Sequence, residues 1–424
     1  MTGLVVAIVL ITRKTAPAYA LVFGALVGGL VGGGGLADTV SAMISGTQSM
    51  MPSVLRILTS GVLVGALVKT GSAERLADSI VRLCGTRFTL AAVAAAAMLV
   101  TAVGVFVDIA VITVAPVALA AGRRADIGAP ALLLAMVGGG KAGNIISPNP
   151  NTIATADAFR TDMTSLMAAN IVPALVALVV AAVLATWLAR RGAECGARGE
   201  KVKGEEVKGT VECGVRSTET GVLPPVWAAL LGPVVVVALL ALRPFAGVEI
   251  DPLVALPAGG LVSVVVCSRA RHVVGDVEYG LSKVAGVAIL LIGTGAVAGI
   301  IKASGLNADM IALLKAFHLP AFALAPVSGL LLAGATASTT AGATIASQTF
   351  AGALAEAGVP AVYAGAMMHA GCTVLDALPH GSFFHATGGA AGLSVKENFK
   401  VFPLGALVGL ASTLSAIAVY LVCG

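Results

Sequence analysis

Four short segments of the sequence contain polar residues that could bind a ligand, and each is enclosed by apolar residues. Residues 138–152 and 369–389 combine glycine and proline with Asn, Ser, Thr, Lys, His and Asp. Residues 101–108 and 336–344 are shorter and carry Thr and Ser, with Asp108 ending the first. Such side chains donate and accept hydrogen bonds or carry a single charge. The chemistry they suit is therefore the binding of a small polar molecule.

The rest of the chain is too apolar for a soluble protein. Of its 424 residues, 58% are hydrophobic and 11% are charged, whereas a soluble domain has about 25% charged residues. With ~20 apolar residues needed for each crossing, the apolar segments suffice for about ten spans. The composition predicts an all-α polytopic membrane protein with the lipid bilayer as its partner. It excludes a soluble enzyme, a secreted disulfide scaffold and a disordered chain, and it disfavours an outer-membrane barrel, whose strands would alternate apolar and polar residues.

A polar segment near the middle of the chain separates two halves with the same order of apolar segments. The sequence GALVKTG at 65–71 corresponds to GIIKASG at 299–305. Each is followed by an amphipathic piece, at 72–84 and 306–318, which we expect to lie along the membrane surface. We predict two repeats joined by a linker, with the first repeat at 1–189, the linker at 190–222 and the second repeat at 223–424.

Within each repeat we expect a re-entrant helical hairpin followed by a broken transmembrane helix. The predicted hairpins are residues 88–121 and 321–355, and the predicted broken helices are residues 129–159 and 361–388. Non-helical backbone at bilayer depth is tolerated only where it is buried in protein or lines a cavity. Paired broken helices in two halves are the best sequence indication of a transporter's substrate site.

The positions of Lys and Arg predict the orientation, because cytoplasmic loops carry an excess of both. With residues 190–222 in the cytoplasm, most of the basic residues fall inside. The exceptions, outside or near that face, are Arg56, Arg160, Arg243, Lys302 and Lys315. The first hairpin then enters from the cytoplasm and the second from outside, so the two repeats are inverted. The net charge of +5 is accounted for by these loops, and no nucleic-acid partner is expected.

The proline-rich breaks predict where an anion would bind. Pro148 and Pro150 lack the amide hydrogen and push the preceding residue out of helical conformation. Half-helices that begin near Asn151 and Ser382 would present free N–H groups and the positive end of the helix dipole. We expect a carboxylate to meet these helix starts.

Two segments of the sequence resemble the gluconate permease family of the ion-transporter superfamily. They are GGGKAGNIISPNPNTIATADAF at 138–159 and TVLDALPHGSFFHATGG at 373–389, and the order of hairpin and broken helix extends the resemblance over most of the chain. The resemblance implies a proton-coupled importer of small hydroxylated or amino monocarboxylates, such as gluconate, D-serine or 3-hydroxybutyrate. It implies a bacterial inner-membrane protein in which hairpin tips and unwound helices hold the substrate and move as an elevator, commonly in a homodimer. The chain has no PPHPGP segment of the gluconate-type members, which favours the short hydroxy-acid branch.

We therefore predict a secondary symporter for a small hydroxylated monocarboxylate that uses the proton gradient and needs no cofactor or metal. The carboxylate is expected to meet Ser147, Asn149, Asn151, Thr152 and Ser382. Lys141 would add a positive charge, and the hydroxyl groups would meet Asn144, Ser338, Thr339 and Thr340. His380 and His385 complete the predicted substrate-binding residues. Asp108 or Asp376 is the predicted proton carrier, because a carboxyl group shielded from water can exchange a proton near neutral pH.

Each of these residues also has a structural interpretation. Lys141 could be the counter-ion of an aspartate, since an ionisable group at membrane depth is costly without a partner. The three asparagines could cap the interrupted helix. The hydroxyls of residues 338–340 could satisfy the backbone of a bent helix, and His380 and His385 could be buried structural imidazoles.

Other functions fit the same pattern. Unwound carbonyl groups with Asn, Ser and Thr can hold Na⁺, so sodium coupling and cation/proton antiport on the same scaffold remain alternatives. An intramembrane enzyme is disfavoured because the sequence has neither HExxH nor GxSxG, the motifs of zinc proteases and serine hydrolases. A passive channel is disfavoured, because it would need neither two hairpins nor a unit that switches between two positions.

Overall fold

The computed structural model describes residues 2–13, 15–84, 88–196, 223–246, 248, 250–304, 320–379 and 381–424. Within these ranges the regular structure is helical, with nineteen α-helices and two short 3₁₀ turns at Ala270–His272 and Ala321–Ala323. His380, the amphipathic piece at 306–318 and most of the predicted linker lie outside the described residues.

Eleven helices precede the linker. They are α1 (Thr2–Thr12), α2 (Pro17–Val31), α3 (Leu36–Gln48), α4 (Met51–Lys69), α5 (Ser72–Cys84), α6 (Thr89–Ala102), α7 (Val107–Arg124), α8 (Ala129–Asn144), α9 (Pro150–Ala158), α10 (Met163–Ala169) and α11 (Ile171–Gly196).

Eight described helices follow the linker. They are α12 (Val226–Ala246), α13 (Pro252–Val266), α14 (Val273–Ala303), α15 (Leu324–Thr336), α16 (Thr339–Glu356), α17 (Ala361–Cys372), α18 (Ser382–Ala390) and α19 (Val395–Cys423).

Fewer helices are long enough to cross a membrane than the count of apolar segments predicts. Among the described residues, four stretches qualify by length and composition, at Met51–Lys69, Ile171–Arg191, Ala270–Ile301 and Val395–Cys423. Several other apolar segments are divided into two shorter helices by a turn or a break, as in α6–α7, α8–α9 and α15–α16. The divided segments are the ones that carry the four polar segments of the sequence.

Two helical hairpins are closed by turns that need unusual backbone conformations. Gly104 has a φ of 111° in the turn between α6 and α7, a region that glycine adopts without steric cost. Between α15 and α16, Ala337 is left-handed with a φ of 45°, and Ser338 caps α16 by accepting a hydrogen bond from the Ala341 N–H. Each hairpin is followed by a helix that ends early, α8 at Asn144 and α17 at Cys372.

Two sequence expectations about helix ends and surfaces are corrected. The linker does not begin at Arg190, because α11 continues to Gly196. The Arg191 guanidinium stacks 4.2 Å from the Trp187 ring centroid, so charge ends the apolar span without ending the helix. The amphipathic helix α5 does not lie free on a membrane surface, because its apolar side, with Leu76 and Val81, is buried and packs against α6, α7 and α12.

The longest of the described helices, α14, packs against α2, α3, α4 and α16. Its contact with α4 has no side chain between the two backbones. A Cβ atom added at Gly280 would lie 1.8 Å from the Gly61 carbonyl oxygen, and one added at Gly65 would lie 2.0 Å from the Asp276 carbonyl oxygen. Small residues at such positions let transmembrane helices approach closely.

The Gly280→Ala variant tests this close contact. The added methyl group has to push α4 and α14 apart, and overpacking of this kind costs about 1–3 kcal/mol. We expect a lower apparent melting temperature for the detergent-purified variant. The matched control is Gly286→Ala on the same helix, where an added Cβ meets nothing within 4 Å and helix propensity favours alanine. Equal stability of the two variants would contradict the packing.

Candidate functional site

A cavity of about 230 Å³ lies where the hairpin turns meet the helix breaks, and we call it the central cavity. The turn between α6 and α7, the end of α8, the start of α9, the turn between α15 and α16 and the start of α18 all contribute to its wall, together with α14. The predicted site residues that line it are Asp108, Asn144, Asn151, Ser338, Thr339, Thr340 and Ser382.

The asparagines of the first break form a network that fixes how two side-chain amides face the cavity. Asn149 donates from Nδ2 to the Asn144 Oδ1, at 2.6 Å, and to the Asn144 carbonyl oxygen, at 2.9 Å. Asn151 donates to the same Oδ1 at 3.2 Å. Both lining asparagines are 2% exposed, and the Asn144 Nδ2 and the Asn151 Oδ1 have no hydrogen-bond partner. These two lining residues therefore carry one donor and one acceptor that no described protein group satisfies.

The start of α9 does not offer the free N–H groups that the sequence predicts. The Asn149 Oδ1 accepts from the N–H groups of Asn151, at 2.9 Å, and Thr152, at 3.0 Å. The Thr152 hydroxyl donates to the Ser147 carbonyl oxygen at 2.7 Å. Ser147, Asn149 and Thr152 are buried and do not line the central cavity, so the structure does not bring them into its wall with the predicted site residues that do line it. The asparagine cap satisfies those donors inside the protein.

The start of α18 differs, because its N-cap residue is Gly381, which provides no side-chain hydrogen bond. Ser382 and Phe383 at this start line the central cavity. The first N–H groups of a helix that lacks a cap are unsatisfied and attract anions. Of the two interrupted helices, the second is the one whose start can receive a carboxylate.

Lys141 lies away from the central cavity and is held by a buried ion pair. Its Nζ is 2.7 Å from the Asp376 Oδ1, and both side chains are 2% exposed. The Nζ also donates to the carbonyl oxygens of Thr373, at 2.5 Å, and Gly405, at 3.2 Å. The structure therefore gives Lys141 the position of a counter-ion and does not place it in the lining of the central cavity. This pair ties α8 to the second break and to α19.

Asp376 is likewise engaged and does not line the central cavity. Its Oδ2 accepts from the Thr339 hydroxyl at 2.6 Å, while its Oδ1 faces Lys141. Asp108 is the acidic residue that lines the cavity within the described part of the chain. Of the two predicted proton carriers, the structure therefore brings one to the cavity and commits the other to an ion pair.

Of the two predicted histidines, the structure describes one, and it does not place that one at the central cavity. His385 is exposed, its Nε2 lies 2.8 Å from the Pro379 carbonyl oxygen, and it does not line the central cavity. His380 lies outside the described residues.

Lys283 lines the central cavity and was not predicted from the sequence. It is exposed in the isolated chain and lies on α14, with its Nζ 5.0 Å from the ring centroid of Tyr279. A signal was available, because Lys283 stands beside the long apolar run of α14, where a charged residue calls for an explanation. Nothing in the sequence, however, indicates that α14 meets the hairpin turns.

A second polar cavity of about 260 Å³ is built around Arg56, and we call it the Arg56 cavity. Arg56 on α4 pairs with Asp251, at 2.6 Å, which caps α13, and also with Asp157 on α9. Ser53 donates to the same Asp157, and Arg160 lines the cavity. This network crosses three elements, and most of its charge is already paired.

The buried pair of Lys141 and Asp376 predicts a specific order of stability. Lys141→Met leaves the Asp376 carboxylate buried without its partner, which costs about 3–5 kcal/mol. We expect the double variant Lys141→Met/Asp376→Asn to have a higher apparent melting temperature than Lys141→Met alone, because the neutral amide can still accept from Thr339. A double variant no more stable than Lys141→Met would contradict the assigned ion pair.

Comparisons with known proteins indicate that the chain is a transporter. The family model for GntP family permease matches residues 1–423. An uncharacterized transporter of Haemophilus influenzae is 48% identical over 420 residues, which cover 99% of this chain and 97% of that protein. An uncharacterized permease of the same organism is 25% identical over 241 residues, which cover 56% of this chain and 49% of that protein.

A solved structure has a similar fold. The YdaH transporter of Alcanivorax borkumensis, described as having an unusual topology, matches with a TM-score of 0.62 and 17% identity. The match covers 91% of this chain and 88% of that one, and it shows likeness of fold alone. The family match and the full-length relative, in a chain with apolar helices long enough to span a membrane, lead to one conclusion. This chain belongs to the GntP permease family and is an integral membrane transporter, not an enzyme.

Proposed function

We propose that the chain is a secondary symporter that imports a small hydroxylated monocarboxylate together with protons. The observation that carries the proposal is the pair of unpartnered amide groups in the central cavity, the Asn144 Nδ2 and the Asn151 Oδ1. A hydroxyl group donates one hydrogen bond and accepts others, so it can satisfy both amides at once. A buried polar atom without a hydrogen-bond partner costs free energy. An acid without the hydroxyl group would leave both amides unsatisfied, so the site should bind it much more weakly than the hydroxy acid.

The charges around the cavity support a carboxylate as the second recognised group. Lys283 lines the cavity with an ammonium group that no described acid pairs within 4.0 Å. The uncapped start of α18 adds N–H groups at Ser382 and Phe383. Because Lys141 is committed to Asp376, Lys283 is the cation left for the substrate. A cavity of about 230 Å³ is below the range for drug-sized ligands, which favours an acid of few carbon atoms.

Asp108 is the proton carrier in this proposal. It lines the cavity beside the substrate, whereas Asp376 is held by Lys141 and Thr339. Protonation of Asp376 would break a buried ion pair, which is costly. A proton on Asp108 breaks no ion pair within the described structure.

We further propose two inverted repeats and an elevator motion. Hairpin, early-ending helix and short helix follow in the same order in α6–α9 and in α15–α18, and these elements would form the moving unit. Helices α4 and α14, joined through glycine contacts, would belong to the static part. Inverted repeats place substrate at their interface. The inner-membrane location, the cytoplasmic linker and the homodimer are proposals of the same kind, drawn from loop charge and from the family resemblance.

Sodium coupling is a second candidate because one observation favours it. The Ser147 hydroxyl is buried in the first break without a hydrogen-bond partner, beside carbonyl groups that are free of the helix ladder. Hydroxyl and carbonyl oxygens are ligands that Na⁺ prefers at unwound helices.

Uptake into proteoliposomes with imposed gradients separates the two candidates. We expect accumulation of labelled 3-hydroxybutyrate with an inwardly directed proton gradient in the absence of Na⁺. The matched sample has an inwardly directed Na⁺ gradient at equal pH on both sides. Accumulation only in the second sample would replace proton coupling with sodium coupling.

The Asn151→Ala variant tests recognition of the hydroxyl. Loss of one hydrogen bond of about 1.4 kcal/mol lowers affinity about tenfold. We expect this loss for 3-hydroxybutyrate and little change for butyrate, which has no hydroxyl group to bind. The measurement is the shift of apparent melting temperature with ligand concentration, because a ligand stabilises the state that it binds. Equal losses for both acids would mean that Asn151 does not bind the hydroxyl.

A further inference from the structure

The central cavity contains one cation and one anion that no direct ion pair joins. Lys283 and Asp108 are the ionisable residues in its described lining, so the two charges border the same cavity of about 230 Å³. The cavity is electrically neutral when both are ionised. An inference about how these two charges act on a bound monocarboxylate rests on the proposed function, because it concerns the same cavity.

Other charged groups near Asp108 are occupied or lie elsewhere. Helix α7, which carries Asp108, packs against α5, α6, α8 and α18. On α5, Arg75 and Arg82 face Asp78, with N–O distances of 3.9 and 2.7 Å, and α6 carries no charged residue. On α8, Lys141 pairs with Asp376. On α18, His385 is exposed and bonded to a carbonyl oxygen.

The remaining groups are on α4 and α14. Tyr279 lies one turn before Lys283, and its ring contacts both Lys283, at 5.0 Å, and Lys69, at 4.5 Å. Lys69 does not line the central cavity. Lys283 is therefore the cation that both Asp108 and a bound carboxylate can use.

We propose that the substrate carboxylate and Asp108 compete for the charge of Lys283, so that each monocarboxylate enters with one proton. A carboxylate that binds next to ionised Asp108 adds a second negative charge against one positive charge. A proton from water on the entry side then forms an O–H bond with the Asp108 carboxylate, and the cavity returns to zero charge. On the other side that O–H bond breaks, the proton returns to water, and the carboxylate leaves.

The same arrangement keeps the charge of the moving unit constant. Lys283 lies on α14, which packs mainly with α2, α3 and α4, and Asp108 lies on the hairpin. Loaded, the unit carries neutral Asp108 and one carboxylate; empty, it carries ionised Asp108. The unit carries the same net charge inward when it is loaded and outward when it is empty, so one full cycle moves no net charge across the membrane. Transport of a monocarboxylate is therefore electroneutral, with one proton for each anion.

The test uses the full-length protein in proteoliposomes, with 3-hydroxybutyrate and gluconate as probes and Ser282→Ala as the matched control. Ser282 neighbours Lys283, is exposed, and bonds only within its own helix, to the Tyr279 carbonyl oxygen. For the wild type and the control we expect uptake driven by a proton gradient and unchanged when a potassium diffusion potential is imposed.

Two variants separate the roles of the two charges. Lys283→Gln should lower the affinity of the probe at least tenfold, and adding Asp108→Asn should recover a large part of it, because the repelling charge is gone. Asp108→Asn alone should bind the probe and fail to accumulate it with a proton gradient. Its net uptake should now respond to the membrane potential, because the empty unit returns without charge while the loaded unit carries the carboxylate.

Each contrary result identifies what fails. If neither probe stabilises or enters the wild type, the proposed function is wrong. If a probe is transported but its uptake follows the membrane potential, the charge-balance inference is wrong. The inference is also wrong if Lys283→Gln binds as tightly as the control, whereas the proposed function stands in both of these cases.

Discussion

The buried ion pair of Lys141 and Asp376 joins the two halves of the chain where their helices are interrupted. A charged side chain at membrane depth is costly, and breaking such a pair costs more than forming it gains. Lys141 also donates to the carbonyl oxygens of Thr373, at the end of α17, and Gly405, within α19, and Asp376 accepts from Thr339 of the second hairpin. The pair therefore provides hydrogen bonds to backbone carbonyl groups that lipid could not provide. It also holds α8, the second break and the second hairpin in one arrangement.

The two interrupted helices that this arrangement holds together are not equivalent. The first is closed by Asn149, which accepts from the N–H groups of Asn151 and Thr152 at the start of α9 and donates to the Asn144 side chain. Asn144 and Asn151 line the central cavity. The second begins at Gly381 without a cap. One break thus supplies neutral hydrogen-bonding groups, and the other supplies an open helix start for negative charge. Because of this difference and of Lys283, the two ends of a hydroxy acid would meet different groups: the carboxylate would face Lys283 and the start of α18, and the hydroxyl would face the asparagines.

The positions of the breaks and turns could be predicted from the sequence, because they follow from local backbone chemistry. Pro148 and Pro150 cannot continue a hydrogen-bonded helix, and Ser338 is a preferred N-cap residue. For Lys141 and Asn149 the sequence left a structural and a binding role open, because the choice depends on which way each side chain points after the break. Lys283 was missed for a different reason: it reaches the cavity from α14, far from the broken segments in sequence. Arg56 also gains its partners only through contacts between distant elements.

The central claim is that a hydroxy monocarboxylate binds in the cavity between the hairpin turns and the helix breaks. An experimental structure of the purified protein with 3-hydroxybutyrate bound tests this most directly. The account predicts ligand density in the central cavity, with the carboxylate nearest Lys283 and the start of α18 and the hydroxyl between Asn144 and Asn151. Density in the Arg56 cavity, with the central cavity empty, would contradict it.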